Sequence, residues 1–307
     1  MMDWTDRHCR YFHRLLSPNA LLYSEMIHAN AITRGDAARH LSFSEAEQPV
    51  ALQLGGIDAN DLAEAAKIAE QYGYKEINLN CGCPSDRVQA GAFGACLMHE
   101  PENVARAVAA MRQAVSIPVT VKTRIGIDHS DSYEFLCRFI DIVRDQGGCD
   151  VFILHARKAW LKGLSPKENR SIPELNWERV HQIKRDYPAL EILTNGGFTT
   201  LDDIAEQFHH VDGVMVGRKA YHEPFFLAEM EERFFGITPP TREMIVEKML
   251  DYMHHMQEQD VWLKHITRHM LGLYHATRVS KRWKHALMDA AAQNSTTPIQ
   301  AFLNSIT

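Results

Sequence analysis

At 307 residues, 45% hydrophobic and 23% charged, the chain is globular and long enough for a full α/β barrel with a small second domain. No apolar run reaches the roughly 18 residues that span a bilayer and no basic-then-apolar leader opens it, so a soluble, cytoplasmic protein with no membrane partner is expected. The formal charge of −6 argues, taken as a whole, against nucleic acid, but its distribution does not.

The chain opens on a loop, Met1 to Asp6, that leads into a helix predicted over Asp6 to Leu16, with Thr5 or Asp6 as cap and Tyr11, Phe12, Leu15 and Leu16 at helical spacing. Seven apolar runs of strand length follow: Leu21–Ser24, Val50–Leu54, Glu76–Leu79, Val119–Thr123, Val151–His155, Ile192–Asn195 and Gly213–Val216. Helical patterns at Asp58–Tyr72, Pro101–Val115, Ser132–Gln146, Trp177–Asp186 and Thr200–Gln207 alternate with them. Nearly continuous apolar strands separated by helices predict a parallel sheet. Seven such units with a loop in front predict a TIM (β/α)8 barrel whose first strand would lie before Met1, through truncation or a misassigned start. From Pro239 onward the pattern is helical only, at Arg242–Gln257, Trp262–His275 and Ser280–Ala292. The expected domains are therefore a barrel over 1–238 and a helical domain over 239–307.

Six cysteines without a C-x-x-C pair suit neither a disulfide framework nor structural zinc, and His265 and His269 lack the glutamate of an H-E-x-x-H site, so no metal is expected. Charge singles out the helical end. Val261 to Met288 holds Lys264, Arg268, Arg278, Lys281, Arg282 and Lys284 with no carboxylate, which leaves 27 basic against 39 acidic residues, or −12, elsewhere. An acidic body with a basic end is suited to steering a polyanion.

In barrels of this kind chemistry sits at the carboxyl ends of the strands, with phosphate commonly bound by the last two βα loops. Counting the absent strand as the first, those ends carry Gln53, then Asn80 and Cys83, then Lys122 and Arg124, then His155, Arg157 and Lys158, then Asn195-Gly196-Gly197, then Gly217-Arg218. The glycine pair offers unobstructed N–H groups before a helix start and Arg218 a cationic fork, which together predict a phosphate site. Neither a G-x-G-x-x-G turn nor a P-loop is present, so flavin mononucleotide fits better than a dinucleotide. Lys122, in an otherwise apolar run, needs either a buried carboxylate or an anionic ligand such as a reduced flavin. Cys81 and Cys83 both lie at the end of their strand, and spacing alone does not choose between them.

Asn78-Leu79-Asn80-Cys81-Gly82-Cys83-Pro84-Ser85-Asp86-Arg87-Val88, with Gly91 and Phe93-Gly94-Ala95-Cys96-Leu97-Met98, resembles the signature of tRNA-dihydrouridine synthases. Met1-Met2-Asp3-Trp4-Thr5-Asp6, His155-Ala156-Arg157-Lys158-Ala159-Trp160 and Asn195-Gly196-Gly197 resemble it too, and Leu164-Ser165-Pro166-Lys167-Glu168-Asn169-Arg170 is similar to the bacterial A subfamily, which acts on uridines 20 and 20a of the tRNA D-loop. The family's first strand and a proline before the methionine pair are missing, and Lys281-Arg282-Trp283-Lys284 matches the family's ending only loosely.

The resemblance implies a tightly bound FMN reduced by NADPH, transfer of hydride from flavin N5 to C6 of uracil, and a proton from Cys83 to C5. A thiol of ordinary pKa near 8.5 is mostly protonated at neutral pH and can make that donation. It further implies cofactor contacts from Met1, Met2, Gln53, Lys122, His155, Asn195, Gly196, Gly197, Gly217 and Arg218. The expected tRNA contacts are Asn80, Arg157, Lys158, Lys167, Arg170, Lys281 and Lys284, which must offset the cost of unstacking the uridine. No protein partner is implied. A dihydroorotate-dehydrogenase-like flavoprotein and an RNA-binding scaffold without catalysis are the competing readings; the first has no use for a basic helical end.

Overall fold

A computed structural model of the chain describes residues 1–85, 88, 91 and 93–306. The backbone forms two compact units, one of Met1–Leu22, Phe43–Gln48 and Gly217–Thr307, the other of Tyr23–Ser42 and Pro49–Val216.

The second unit is built on strands β1 (Leu22–His28), β2 (Val50–Gly55), β3 (Glu76–Cys81), β4 (Val119–Arg124), β5 (Val151–His155), β6 (Glu191–Asn195) and β7 (Gly213–Met215). They form one sheet in chain order, parallel through the pairs from β2 to β7. Chain-order neighbours require a crossover after each strand, and the helices supply it. Among them are α4 (Ala59–Gln71), α5 (Pro101–Ala114), α6 (Tyr133–Gly147), α7 (Trp177–Asp186) and α8 (Leu201–Gln207), while the short α2 (Ala29–Thr33) and α3 (Ala37–Leu41) follow β1. This is the expected TIM-like arrangement of a curled parallel sheet with alternating helices.

Local chemistry explains where these helices begin. Asp58 caps α4 by accepting from the N–H groups of Asn60 and Asp61, Ser132 caps α6 through Phe135 N–H, and Thr200 forms a capping box with Asp203 at α8. The crossover helices turn apolar faces inward: Leu62, Ala65, Ala66 and Ala69 on α4, and Leu136, Phe139, Ile140 and Val143 on α6, are buried. Burial of a leucine or phenylalanine face is worth about 1.5–3 kcal/mol per side chain, which outweighs the propensity differences along these segments.

The first unit is helical. It contains α1 (Arg7–Leu16), α9 (Arg218–His222), α10 (Phe225–Phe235), α11 (Arg242–Gln257), α12 (Lys264–Met270), α13 (Ser280–Gln293) and α14 (Thr297–Asn304). The helix expected over Trp262–His275 is shorter at both ends. Leu263 N–H donates to Asn294 Oδ1 at 2.9 Å, which fixes the chain before the first turn, and Gly272 lies so close to the His222 carbonyl that a side chain there would overlap it. Ala276 then adopts a left-handed φ of 57°, beyond which no helix continues without a break. Trp283 is fully buried and donates its indole N–H to the Met270 carbonyl at 2.8 Å, joining α13 to α12.

Candidate active site

β3 delivers the cysteine loop. Asn80 is buried near its end, and its Oδ1 accepts the N–H of Gly82 at 3.0 Å and of Cys83 at 2.9 Å, a side-chain turn that aims the chain out of the sheet. The return is fixed as well: the Cys83 carbonyl accepts the N–H of Ala95 at 2.9 Å, and Gly94, at φ 77°, leaves no room for a Cβ against that carbonyl. Asp86 and Arg87 of the motif lie outside the described residues.

The two thiols have different surroundings. Cys81 is fully buried, and burial pushes its pKa up. Cys83 is half-buried on the loop, with Sγ 3.5 Å from Ser85 Oγ. A proton donor must meet its acceptor, so accessibility separates two residues that spacing left equal.

Gln53 on β2 and Lys122 on β4 flank this strand end, Gln53 opposite Asn78 and Lys122 opposite Asn80 in the register. Asn80 Nδ2 donates to Gln53 Oε1 at 2.8 Å, which ties the residue that holds the cysteine loop to the neighbouring strand. Lys122 is half-buried, and no carboxylate among the described residues forms an ion pair with it. Burial, with the nearby Arg124 guanidinium second, lowers its pKa to about 8. Of the two partners anticipated for this lysine, the buried carboxylate is not found among the described residues, and an anionic ligand would stabilise the cation.

Across β5 and β6, His155 is buried and lies opposite Asn195 in the register. Gly196 has φ 100° and passes so close to the imidazole that any Cβ would overlap it; Trp177 Nε1 donates to the Gly196 carbonyl at 2.9 Å and holds the turn. Gly197, at φ 88°, is pressed against Leu175 and Trp177. Asn195 Nδ2 donates to the Met215 carbonyl at 2.7 Å, so its amide braces β7. In the other unit, Gly217 precedes α9 and Arg218 begins it; a Cβ on Gly217 would stand 3.5 Å from the Met1 sulfur, and Met2 is exposed.

The basic residues after β5 are not alike. Lys158 Nζ pairs with Asp131 at 2.6 Å and lies 4.4 Å from the centre of the Trp160 ring, while the Arg157 guanidinium donates to the Pro173 carbonyl. Lys167 is exposed and Arg170 half-buried on the loop that follows. On α13, Lys281 and Lys284 are exposed on the face that also carries His285 and Met288, opposite buried Trp283, Ala286, Leu287 and Ala290. Of the other four cations of this segment, Arg268 pairs with Asp6 at 2.5 Å, Lys264 lies over Trp262, and Arg282 reaches Ser305. Arg278 is exposed ahead of α13, not on it. His269 is held between Asp6 and Tyr221.

Two residues outside the expected cofactor and tRNA contacts shape the site. Arg124 is buried and donates from Nε to the Gly82 carbonyl at 3.0 Å and from Nη1 to the carbonyls of Lys158 at 3.2 Å and Asn169 at 2.9 Å, so one guanidinium spans the cysteine loop and the loop after β5. Asn169 is fully buried amid exposed neighbours; its amide accepts from Trp160 N–H at 2.7 Å and donates to the Trp160 carbonyl at 2.9 Å. The signal for Arg124 was present: Thr120, Lys122 and Arg124 are polar at a period of two in an apolar strand, hence on one face.

The chain is 54% identical to the tRNA-dihydrouridine(20/20a) synthase of Vibrio cholerae over 293 residues, covering 95% of this chain and 89% of that protein. It is 55% identical to the enzyme of that name from Shewanella oneidensis over 296 residues, covering 96% and 88%. A solved 2-naphthoyl-CoA reductase complex superposes with a TM-score of 0.52 at 12% identity over 76% of this chain and 47% of its own, a likeness of fold alone. The dihydrouridine synthase (Dus) family matches residues 1–307, and the chain belongs to that family of enzymes.

Proposed function

We propose that this protein forms 5,6-dihydrouridine at positions 20 and 20a of tRNA, as the name of its relatives describes for those proteins, and that it does so by reducing uridine with FMN and NADPH. The observation that carries the reading is an accessible Cys83 beside the end of β3 and, on adjacent β4, a Lys122 that has no ion pair among the described residues. When bound, FMN supplies the hydride for C6 of the uracil after reduction by NADPH.

The residues present fit that group. Lys122 offers a cation where a reduced flavin carries negative charge, and no carboxylate among the described residues pairs with it. Gln53 spends one N–H and one lone pair on Asn78 and Asn80, which leaves a donor and an acceptor for a pyrimidine edge. Gly196 and Gly197 bring backbone N–H groups to the end of β6 without side chains in the way, a cradle suited to phosphate.

Cys83 is the proposed donor of the proton that C5 requires. Its loop is held at Gly82 and Cys83 by Asn80, at Gly82 by Arg124 and at Cys83 by Ala95, so the thiol is presented from a fixed backbone. Lys167 and Arg170 on the loop pinned by Asn169, and Lys281 and Lys284 on α13, are the proposed phosphate contacts, with Asn80 near the base. Lys158 is engaged with Asp131 and would have to exchange partners to join them. The reading is tested by supplying the purified protein with FMN, NADPH and unmodified tRNA and mapping dihydrouridine, with Cys83→Ala as the comparison. Wild type should modify positions 20 and 20a, and Cys83→Ala should bind tRNA and consume NADPH while forming little product.

A further inference from the structure

Behind the cysteine loop runs an unbroken chain of side chains on the inner polar positions of β2, β3 and β4. Cys83 N–H donates to Asn80 Oδ1, Asn80 Nδ2 to Gln53 Oε1, Gln53 Nε2 to Asn78 Oδ1, Asn78 Nδ2 to Thr120 Oγ1 and Thr120 Oγ1 to Glu76 Oε1, with every distance between 2.7 and 2.9 Å. Tyr23 donates to the same Glu76 oxygen at 2.6 Å. All the donors point one way.

That direction has a physical origin. An amide can present either oxygen or nitrogen, and three amides in series reverse together with no loss at the internal links. A carboxylate only accepts. Glu76 therefore obliges Thr120 to donate, so the hydroxyl lone pair receives Asn78 Nδ2; Asn78 Oδ1 then receives Gln53 Nε2, and Gln53 Oε1 receives Asn80 Nδ2. The last consequence is that Asn80 turns its oxygen to the N–H groups of Gly82 and Cys83. Reversed, it would face two donors with a third.

Glu76, Asn78 and Asn80 alternate on one face of β3, and Asn78 lies opposite both Gln53 and Thr120 in the register, so the chain is a product of sheet geometry as much as of residue type. Asn78 is fully buried, and Gln53 and Thr120 are buried beside it, where no water competes for these bonds.

We infer that Glu76 and Thr120 are positioning residues: acting through Asn78, they set the amide orientation of Gln53 and Asn80 and so hold the Cys83 loop and fix which edge Gln53 offers. The part that concerns Gln53 and FMN rests on the proposed function; the part that concerns the Cys83 loop does not.

The test measures two quantities on flavin-free protein, the FMN dissociation constant by flavin fluorescence and the rate of iodoacetamide modification at Cys83 by peptide mass. Thr120→Val keeps the shape and breaks the chain; it should raise the FMN constant by about tenfold and the Cys83 rate by about fivefold, as expected for one lost buried hydrogen bond. Thr120→Ser, which restores the hydroxyl, should return both to within about twofold of wild type, a rescue that a packing defect would not give. If Thr120→Val does not fold, Glu76→Leu, which removes the terminal acceptor, is read in its place by the same measures. A Cys83 rate in the folded chain-breaking variant equal to wild type overturns the inference, as does a Thr120→Ser protein as altered as Thr120→Val. Wild-type protein that takes up no FMN would remove the functional reading and leave the Cys83 rate to decide the inference.

Discussion

Asn80 holds Cys83 by its backbone, accepting the Cys83 N–H at 2.9 Å while its own Nδ2 donates to Gln53. The residue is thus an acceptor toward the loop and a donor toward β2, and two substitutions separate these roles. Asn80→Asp keeps the acceptor and loses the donor; Asn80→Ala loses both and strands two loop N–H groups, at a cost of about 1–3 kcal/mol. Dihydrouridine formation should fall by about tenfold or more in Asn80→Ala and less in Asn80→Asp. Equal rates in Asn80→Ala and wild type would remove the role of Asn80 in placing the thiol.

Lys122 makes an opposed pair of predictions. Burial lowers its pKa from 10.5 to about 8, so between those values the unfolded chain binds more protons than the folded one, and the stability of flavin-free protein rises with pH across that window. Lys122→Met should remove the rise and be the more stable protein at pH 7, by at most about 3 kcal/mol. The same variant should bind FMN more weakly. Denaturant unfolding at pH 7, 8 and 10 with an FMN titration checks both; a variant that is destabilised without flavin would mean that Lys122 has a partner in the fold.

Two buried histidines of the helical unit give an acid prediction. Burial holds His8 down to about 4 and His13 to about 3, so as pH falls below about 6.5 the unfolded chain takes up protons that the folded chain refuses, and stability is lost. Each contributes a slope of about 1.4 kcal/mol per pH unit in that range. Glu47 and Glu76, raised by burial, act in the opposite sense, so the informative quantity is the difference between variants. His13→Gln should have a shallower stability profile than wild type between pH 6 and 4.5, and parallel profiles would contradict it.

Much of the fold could be read from the chain because parallel strands buried on both faces are continuous apolar runs, and because Asp58, Ser132 and Thr200 stand as caps where helices begin. The helix α10 was missed because Phe225–Phe235 is apolar on several sides and shows no clear stripe, and the end of α12 because it depends on Gly272 meeting the His222 carbonyl, a contact between distant parts of the sequence. At the site, Gln53, Asn80, Cys83 and Lys122 could be named from strand ends. Arg124 and Asn169 could not be given roles, since both act on backbone carbonyls that carry no mark in the sequence. The ion pair of Lys158 with Asp131, 27 residues earlier, could not be read from the sequence, because nothing in the spacing marks the two as neighbours.

The exposed cations of α13 predict a salt effect. Lys281 and Lys284 have no ion pair among the described residues, unlike Arg268. Lys281→Ala with Lys284→Ala should weaken tRNA binding and reduce the slope of log affinity against log salt by up to about two units, while NADPH oxidation is unchanged. Superimposable salt plots for the double variant and wild type would mean that this face does not touch the RNA backbone.

Mapping dihydrouridine in tRNA from cells lacking the enzyme, after complementation with this protein, tests the proposed reaction. Wild type should restore the modification at positions 20 and 20a, Cys81→Ala should restore it as well, and Cys83→Ala should not. Restoration by Cys83→Ala at the wild-type level, or dihydrouridine appearing only at other positions, would contradict it.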